Sequence, residues 1–411
     1  MSSIPLFAAI VCLGCAALAA GCAGTGQPGA DQPAAAAPAP AAPPAAAAAA
    51  APTALPYPQA VRKAALEVLA NAGLASTQRY NLIVDPLVDG NSGARTEATA
   101  AMEQSVLQLL REHYQQVDVQ PFSGKAVAAL PLLMVGTFTP INLQGKADGP
   151  RDAYRICFAL ADLKTGKIIS KGLARSLPDG FDPTPLAFFR DMPVWSKDAA
   201  VDGYIKTCQG TKAGDPIQPA YLDAVLASST INEAMAAYQA RRYDDALALY
   251  QSVLMNPAGN QARVYAGIYL ANEKLGRRQA AMRAFGRLVD MGLAGERLAV
   301  QFNFKPGSSA FAPERQPYSQ WLATIASQAL RQSSCVEVAG HTRRGLSEQM
   351  DERLSLQRAE FVRQKAAGAN PGFAKRSTAK GYGSRRALIG TGKGNDSDAL
   401  DERIEFKKVS C

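Results

Sequence analysis

The chain has 411 residues, 47% of them apolar and 19% charged, and a formal net charge of +9. That length is enough for about two or three domains with cores of their own. The only histidines are His113 and His341, too few for a histidine-rich metal set or a His-based nucleophilic triad, so no enzyme, metal or cofactor is expected.

The first segment, "SIPLFAAIVCLGCAALAAGC", is an apolar run too short to span a membrane comfortably, and it ends in small residues, as a secretory signal does. With Leu18, Ala19, Ala20 and Gly21 leading to Cys22, it resembles a bacterial lipobox, although "MSSIP" carries no Lys or Arg and the leucine sits one place early. That resemblance implies a signal peptide over 1–21, lipid on Cys22, a membrane anchor through that lipid and, with Ala23 following, sorting to the periplasmic face of the outer membrane. An ordinary cleaved signal is the alternative. Residues 22–55 are Ala- and Pro-rich with a single charge and cannot bury enough apolar surface to offset their ordering entropy, so a disordered tether is expected. Nucleic acid is not an expected partner of an exported chain, and nothing here resembles an RNP or helix-turn-helix motif.

Residues 56–217 read as an α/β domain. "RYNLIVDPLVDG" is a strand entering a turn, "TEATAAMEQSVLQLLREHY" has helical periodicity, and "VDVQPF", "LPLLMVGTF" and "AYRICFALADLKTGKIISKGLAR" supply further strands, the last two around a Thr-Gly turn. This order is similar in pattern to envelope lipoproteins of the curli-secretion and penicillin-binding-protein-activator type, which implies an envelope protein as partner. Asp85, Asp89 and Asn91 near the turn miss the spacing of a calcium loop, so turn chemistry is the expectation there.

Between 218 and 295 the pattern changes to short helices. "RRYDDALALYQSVL" and "GRRQAAMRAFGRLV" align at an offset of about 35 residues, with Ala246 over Ala281 and Tyr250 over Phe285. The spacing resembles the tetratricopeptide repeat, in which a small residue lets helices approach and an aromatic fills the groove between them. Two such units are few, so they are expected to pack on their neighbours, either as a spacer or as a peptide-binding groove.

From 296 to 411 the order is β-α-β-α-β-β, a small sheet with helices on one face. "FNF" at 302–304, "GHT" at 340–342, "LSLQRAEFV" at 354–362, "GYG" at 381–383 and "DERIEF" at 401–406 resemble the OmpA-like peptidoglycan-anchoring domain. In that family an aspartate follows the threonine, an arginine lies fifteen positions later, and the two grip the amine and carboxylate of the wall peptide's diaminopimelate. The resemblance implies that Arg358 is the ligand-binding arginine and brings Thr342, Leu354 and Arg403 to the peptidoglycan as well. The aspartate's position holds Arg343 instead. Guanidinium facing ammonium is repulsive, so Arg343 and Arg358 are expected to form a clamp for anionic groups, unless Asp351 neutralises one of them. Residues 301–411 contain 18 Lys and Arg against 11 Asp and Glu, supplying +7 of the formal +9, and favour anionic partners. "IGTGKGND" at 389–396 departs from a phosphate loop, because Gly394 follows Lys393 and Ala387 takes the first glycine's place.

Cysteine arithmetic agrees with export. Cys12 and Cys15 leave with the signal and Cys22 takes lipid, so Cys157, Cys208, Cys335 and Cys411 remain as an even set in an oxidising compartment. Domain membership pairs Cys157 with Cys208 and Cys335 with Cys411. The combined expectation is a non-enzymatic envelope protein docking on peptidoglycan, with a scaffold for an envelope enzyme or secretion complex as the alternative.

Overall fold

Apolar runs in the first half of the chain fold into a sheet covered on both faces. The computed structural model describes residues 53–411 apart from 148–150, 196, 314–316, 346, 389, 391–397 and 399–400. The expected signal, Cys22, most of the tether and the glycine-rich stretch with Lys393 lie outside the described residues. The first elements are α1 (Tyr57–Ala70), β1 (Tyr80–Val84), β2 (Val88–Asp89), α2 (Glu97–His113), β3 (Val117–Gln120), α3 (Gly124–Ala128), β4 (Leu132–Ile141), β5 (Ala153–Asp162) and β6 (Lys167–Ser176). Then come α4 (Ala187–Asp191), β7 (Val194–Trp195), α5 (Ala199–Gln209) and α6 (Pro219–Leu222).

Helix α2 starts at a reciprocal cap: the Thr96 hydroxyl accepts from Thr99 N–H, and the Thr99 hydroxyl accepts from Thr96 N–H. The first sheet runs β3-β1-β4-β5-β6, with β2 paired to β4. β1 is parallel to β3 and β4, whereas β4, β5 and β6 are antiparallel. One face packs under α1 and α2 through Ala64, Val68, Met102 and Val106; the other packs under α5 and α6 through Val201, Tyr204 and Tyr221. Being covered on both sides is why β4 and β5 are almost continuously apolar. A disulfide joins Cys157 of β5 to Cys208 of α5. Just before α1, Leu55 N–H donates to the Arg175 carbonyl, so the last residue of the expected tether already pairs with β6.

The middle of the chain forms two helical hairpins, α7 (Val225–Gln239) with α8 (Tyr243–Val253) and α9 (Ala262–Lys274) with α10 (Arg278–Ala294). Ala246, Tyr250, Ala281 and Phe285 are all buried, as their shared register requires. Gly267 is needed where it stands, because a Cβ there would sit 2.2 Å from the Tyr250 ring.

The last part comprises β8 (Arg297–Gln301), α11 (Tyr318–Arg331), β9 (Cys335–His341), α12 (Glu348–Ala369), α13 (Gly372–Lys375), β10 (Ser377–Gly381) and β11 (Arg403–Val409). The second sheet runs β10-β9-β11-β8-β7. The β-α-β-α-β-β order is thus present, with the short α13 added and a fifth strand supplied from far upstream: Val194 and Trp195 pair antiparallel with Val300 and Ala299. Segment 187–195, grouped by sequence with the first sheet, packs in a different core. That core runs from Phe188 through the hairpins to Phe406, and Trp321 of α11 stacks on Phe285 of α10 at 5.0 Å. The hairpins and the second sheet therefore share one apolar interior. Cys335 and Cys411 are disulfide-bonded, fastening the chain's end to the start of β9.

Candidate functional site

The face of α12 that meets the second sheet carries Asp351, Leu354, Ser355 and Arg358, which the three-to-four spacing aligns. Its N-terminus is capped by the Ser347 hydroxyl, which accepts from Met350 N–H. Close approach to β9 is possible only because position 340 is glycine: a Cβ there would lie 2.0 Å from the Ser355 carbonyl oxygen. Beside this crossing, segment 302–307, the turn after β9 and residue 402 enclose a groove of about 480 Å³.

Arg358 forms the groove's floor. Its side chain is 2% exposed and lies over the Phe304 ring at 4.6 Å, and Nε donates to the Ser308 carbonyl at 3.0 Å. Nη1 sits 3.3 Å from Glu402 Oε2, an ion pair outside hydrogen-bond geometry. Arg343, about half exposed at the rim, places Nε 3.4 Å from Glu402 Oε1. One carboxylate therefore bridges both arginines. Burial pushes the Arg358 guanidinium's pKa down, Glu402 counters that shift, and Arg343 adds to it. Thr342 is buried; its N–H donates to the Gly383 carbonyl, while its Oγ1 has no hydrogen-bond partner among the described residues. Buried polar atoms in this condition cost about 1–3 kcal/mol each and mark places where a ligand's polar group can bond.

Thr342, Arg343, Leu354 and Arg358 are thus brought together around one groove. One alternative and one expectation are corrected. Asp351 neutralises neither arginine: it accepts from the Ser384 hydroxyl at 2.9 Å, and Glu402 is the counter-ion. Arg403 does not line the groove. Strand alternation turns it to the helix-free face, where it is 1% exposed and donates from Nε to Glu405 Oε1 at 2.8 Å and from Nη2 to the Arg386 carbonyl at 3.0 Å.

That opposite face is a closed charge network. Glu405 also meets Arg297 at 2.5 Å, His341 Nε2 at 3.4 Å and Lys407 at 3.4 Å. Burial disfavours its ionised form, but the His341 contact and the charge of Arg403 outweigh burial and hold the carboxyl well below the usual range. Burial likewise pushes His341 down to about 4, with Glu405 opposing. The "GHT" histidine therefore faces away from the groove and is neutral at pH 7.

Glu402 is the groove residue that sequence reasoning missed. The usable signal is parity within "DERIEF": with Arg403, Glu405 and Lys407 on one face, Glu402 joins Ile404 and Phe406 on the helix side. In the first sheet, Asp89 does turn chemistry, accepting from Asn91 N–H, Ser92 N–H and the Ser92 hydroxyl. Asp85 is buried against α6, accepting a short hydrogen bond from the Tyr221 hydroxyl; burial pushes it up to about 7, with Tyr221, Arg263 and Arg95 opposing. Among the described residues no group of three His, Cys, Asp or Glu could hold a metal ion, and no helix is long and apolar enough to cross a membrane.

No protein-family model and no curated protein matches the chain. Among solved structures, an outer membrane protein from Borrelia burgdorferi B31 is similar at 19% identity over 28% of this chain and 88% of its own, with a TM-score of 0.22. The OmpA-like domain of FopA1 from Francisella tularensis is similar at 18% identity over 28% of this chain and 77% of its own, with a TM-score of 0.23. The cell wall anchor of the T6SS from Pseudomonas aeruginosa is similar at 22% identity over 28% of this chain and 81% of its own, with a TM-score of 0.24.

Proposed function

We propose that this is a non-enzymatic envelope protein whose groove at Arg343, Glu402 and Arg358 holds the peptide stems of peptidoglycan. The supporting observation is that one groove presents a carboxylate between two guanidiniums, with Thr342 Oγ1 and Arg358 Nη1 lacking hydrogen bonds at its wall. A diaminopimelate end carries an ammonium and a carboxylate on the same carbon. Glu402 complements the first and Arg343 the second, while buried Arg358 fixes Glu402 in place. The repulsion expected from Arg343 is thereby answered, because the cation's partner comes from the closing strand instead of the turn. Charge-assisted contacts of this kind contribute about 1.5–3 kcal/mol each. Lipid on Cys22, an outer-membrane location and a tether long enough to reach the wall complete the proposal, with the helical hairpins as a peptide-binding or spacing element.

A scaffold with no wall ligand is the second reading, favoured by the fact that Glu402 already pairs with both arginines. Sedimentation of the full-length protein with purified sacculi separates the two. Wild type should be retained at physiological salt, and Arg343→Ala and Glu402→Gln should each lower retention about tenfold or more. Wild type that is not retained would establish the scaffold reading, and equal retention of all three proteins, or a retention that salt removes identically from each, would show that the groove is not the wall-binding site.

A further inference from the structure

We infer that the groove continues past Asn303 into a second subsite for the glycan part of the same ligand, an inference that rests on the peptide reading above. Asn303 lines both grooves, its side chain exposed at their junction. The second groove has a volume of about 510 Å³, within the range that holds a small ligand. It is built from segments far apart in sequence: residues 190–193 at the end of α4, one face of α9, and β8 and α11 at Gln301 and Trp321. These parts are held in register. Gln301 N–H donates to the Pro193 carbonyl at 3.1 Å, and Asn303 N–H donates to the Tyr318 hydroxyl at 3.0 Å.

The chemistry of its rim differs from that of the first groove. Arg190 and Lys274 stand against Asp191 and Glu273, so the charges balance, and Lys274 is 3.4 Å from Asp191. A charge-balanced lining does not select an anion or a cation. It selects a neutral ligand rich in hydrogen-bonding groups. Guanidinium, carboxylate and amide side chains each present two coplanar donors or acceptors, which match vicinal hydroxyl pairs. Gln301 lines the groove beside Asn303 and adds a second amide residue to it, chemistry suited to an acetamido group. The floor beneath is apolar, formed by Trp321, Tyr269 and Leu270. An N-acetylated sugar fits this combination, and in peptidoglycan such a sugar is covalently joined to the peptide that the first groove takes. Occupying two subsites on one compact unit raises affinity through effective concentration.

Calorimetry on the full-length protein, with three probes, tests the inference. The probes are a diaminopimelate stem peptide, the same peptide on its disaccharide, and a peptide-free β-1,4-linked N-acetylhexosamine oligomer. Wild type should bind the disaccharide-peptide at least tenfold more tightly than the peptide. The double variant Arg190→Ala/Glu273→Ala should lose that gain and keep the peptide's affinity. Equal wild-type affinity for peptide and disaccharide-peptide would overturn the glycan subsite while leaving the peptide reading intact, and so would a double variant that keeps the gain. A double variant weakened toward the bare peptide would assign those residues to the first groove and overturn the inference too. Binding of the oligomer without the peptide would uphold the subsite and overturn the peptide reading; binding of none of the three would overturn both.

Discussion

Asp85 in the first sheet and Glu405 in the second are both buried carboxyls, yet their surroundings drive them in opposite directions. Asp85 has a tyrosine hydroxyl at hand and its nearest cations at a distance, so burial prevails and it is pushed up to about 7. Glu405 has Arg403, Arg297, Lys407 and His341 within 3.4 Å, and it stays ionised far below the usual range. The difference shows that burial sets the penalty and partners decide its sign. It also shows where the C-terminal excess of positive charge goes. Arg403 is committed inside the fold, partly buried Lys407 and half-exposed Arg297 pair with Glu405, and Arg385 pairs with Glu348 and Glu352 on the surface. The groove's rim, with Arg343 about half exposed beside Glu402, keeps charge within reach of a ligand.

The comparison can be broken most severely at Glu405. Glu405→Gln leaves Arg403 buried without its counter-ion and should destabilise the protein by about 3–5 kcal/mol in urea titrations at pH 7. Asp85→Asn should do the reverse. The unfolded carboxyl ionises near 3.8, whereas the folded one keeps its proton to about 7, so wild-type stability falls as pH rises through that window. The variant should gain on the order of 3 kcal/mol at pH 7 and nothing below pH 4. His341 sharpens the contrast with a smaller effect. Its unfolded form takes a proton below 6.5 and its folded form not until about 4, so stability falls as pH falls between those values. His341→Gln should reduce the stability lost between pH 7 and pH 5 by about 2 kcal/mol, measured by the same titrations.

Local patterns in the sequence announce most elements: the strands of the first sheet, the paired repeats and the order of the last domain all follow from periodicity and turn residues. Contacts between distant parts are not announced. β7 is two residues long, and its partner strand lies about a hundred positions downstream, so nothing near Val194 signals a strand. Helix α1 buries Ala60, Ala64 and Ala65, and in sequence that alanine-rich face blends into the alanine-rich segment before it. Arg343 and Arg358 were legible in the groove through an ordered series of motifs. Their counter-ion was not, since Asp351 is Arg358's neighbour along the helix whereas Glu402 arrives only when β11 docks beside β9. Arg403 was misplaced for the complementary reason: a one-residue step along a strand exchanges the sheet's two faces.

The most direct test of the groove's chemistry is the affinity of a diaminopimelate stem peptide, compared with the same peptide acetylated at the free amine, for wild type, Arg343→Glu, Glu402→Arg and the double exchange. Wild type should prefer the free amine by about tenfold or more, each single variant should lose about tenfold to a hundredfold, and the double exchange should recover most of that loss. Wild type binding both peptides equally, or single variants binding the free-amine peptide as tightly as wild type, would contradict the account and leave Arg343, Glu402 and Arg358 as a structural ion cluster.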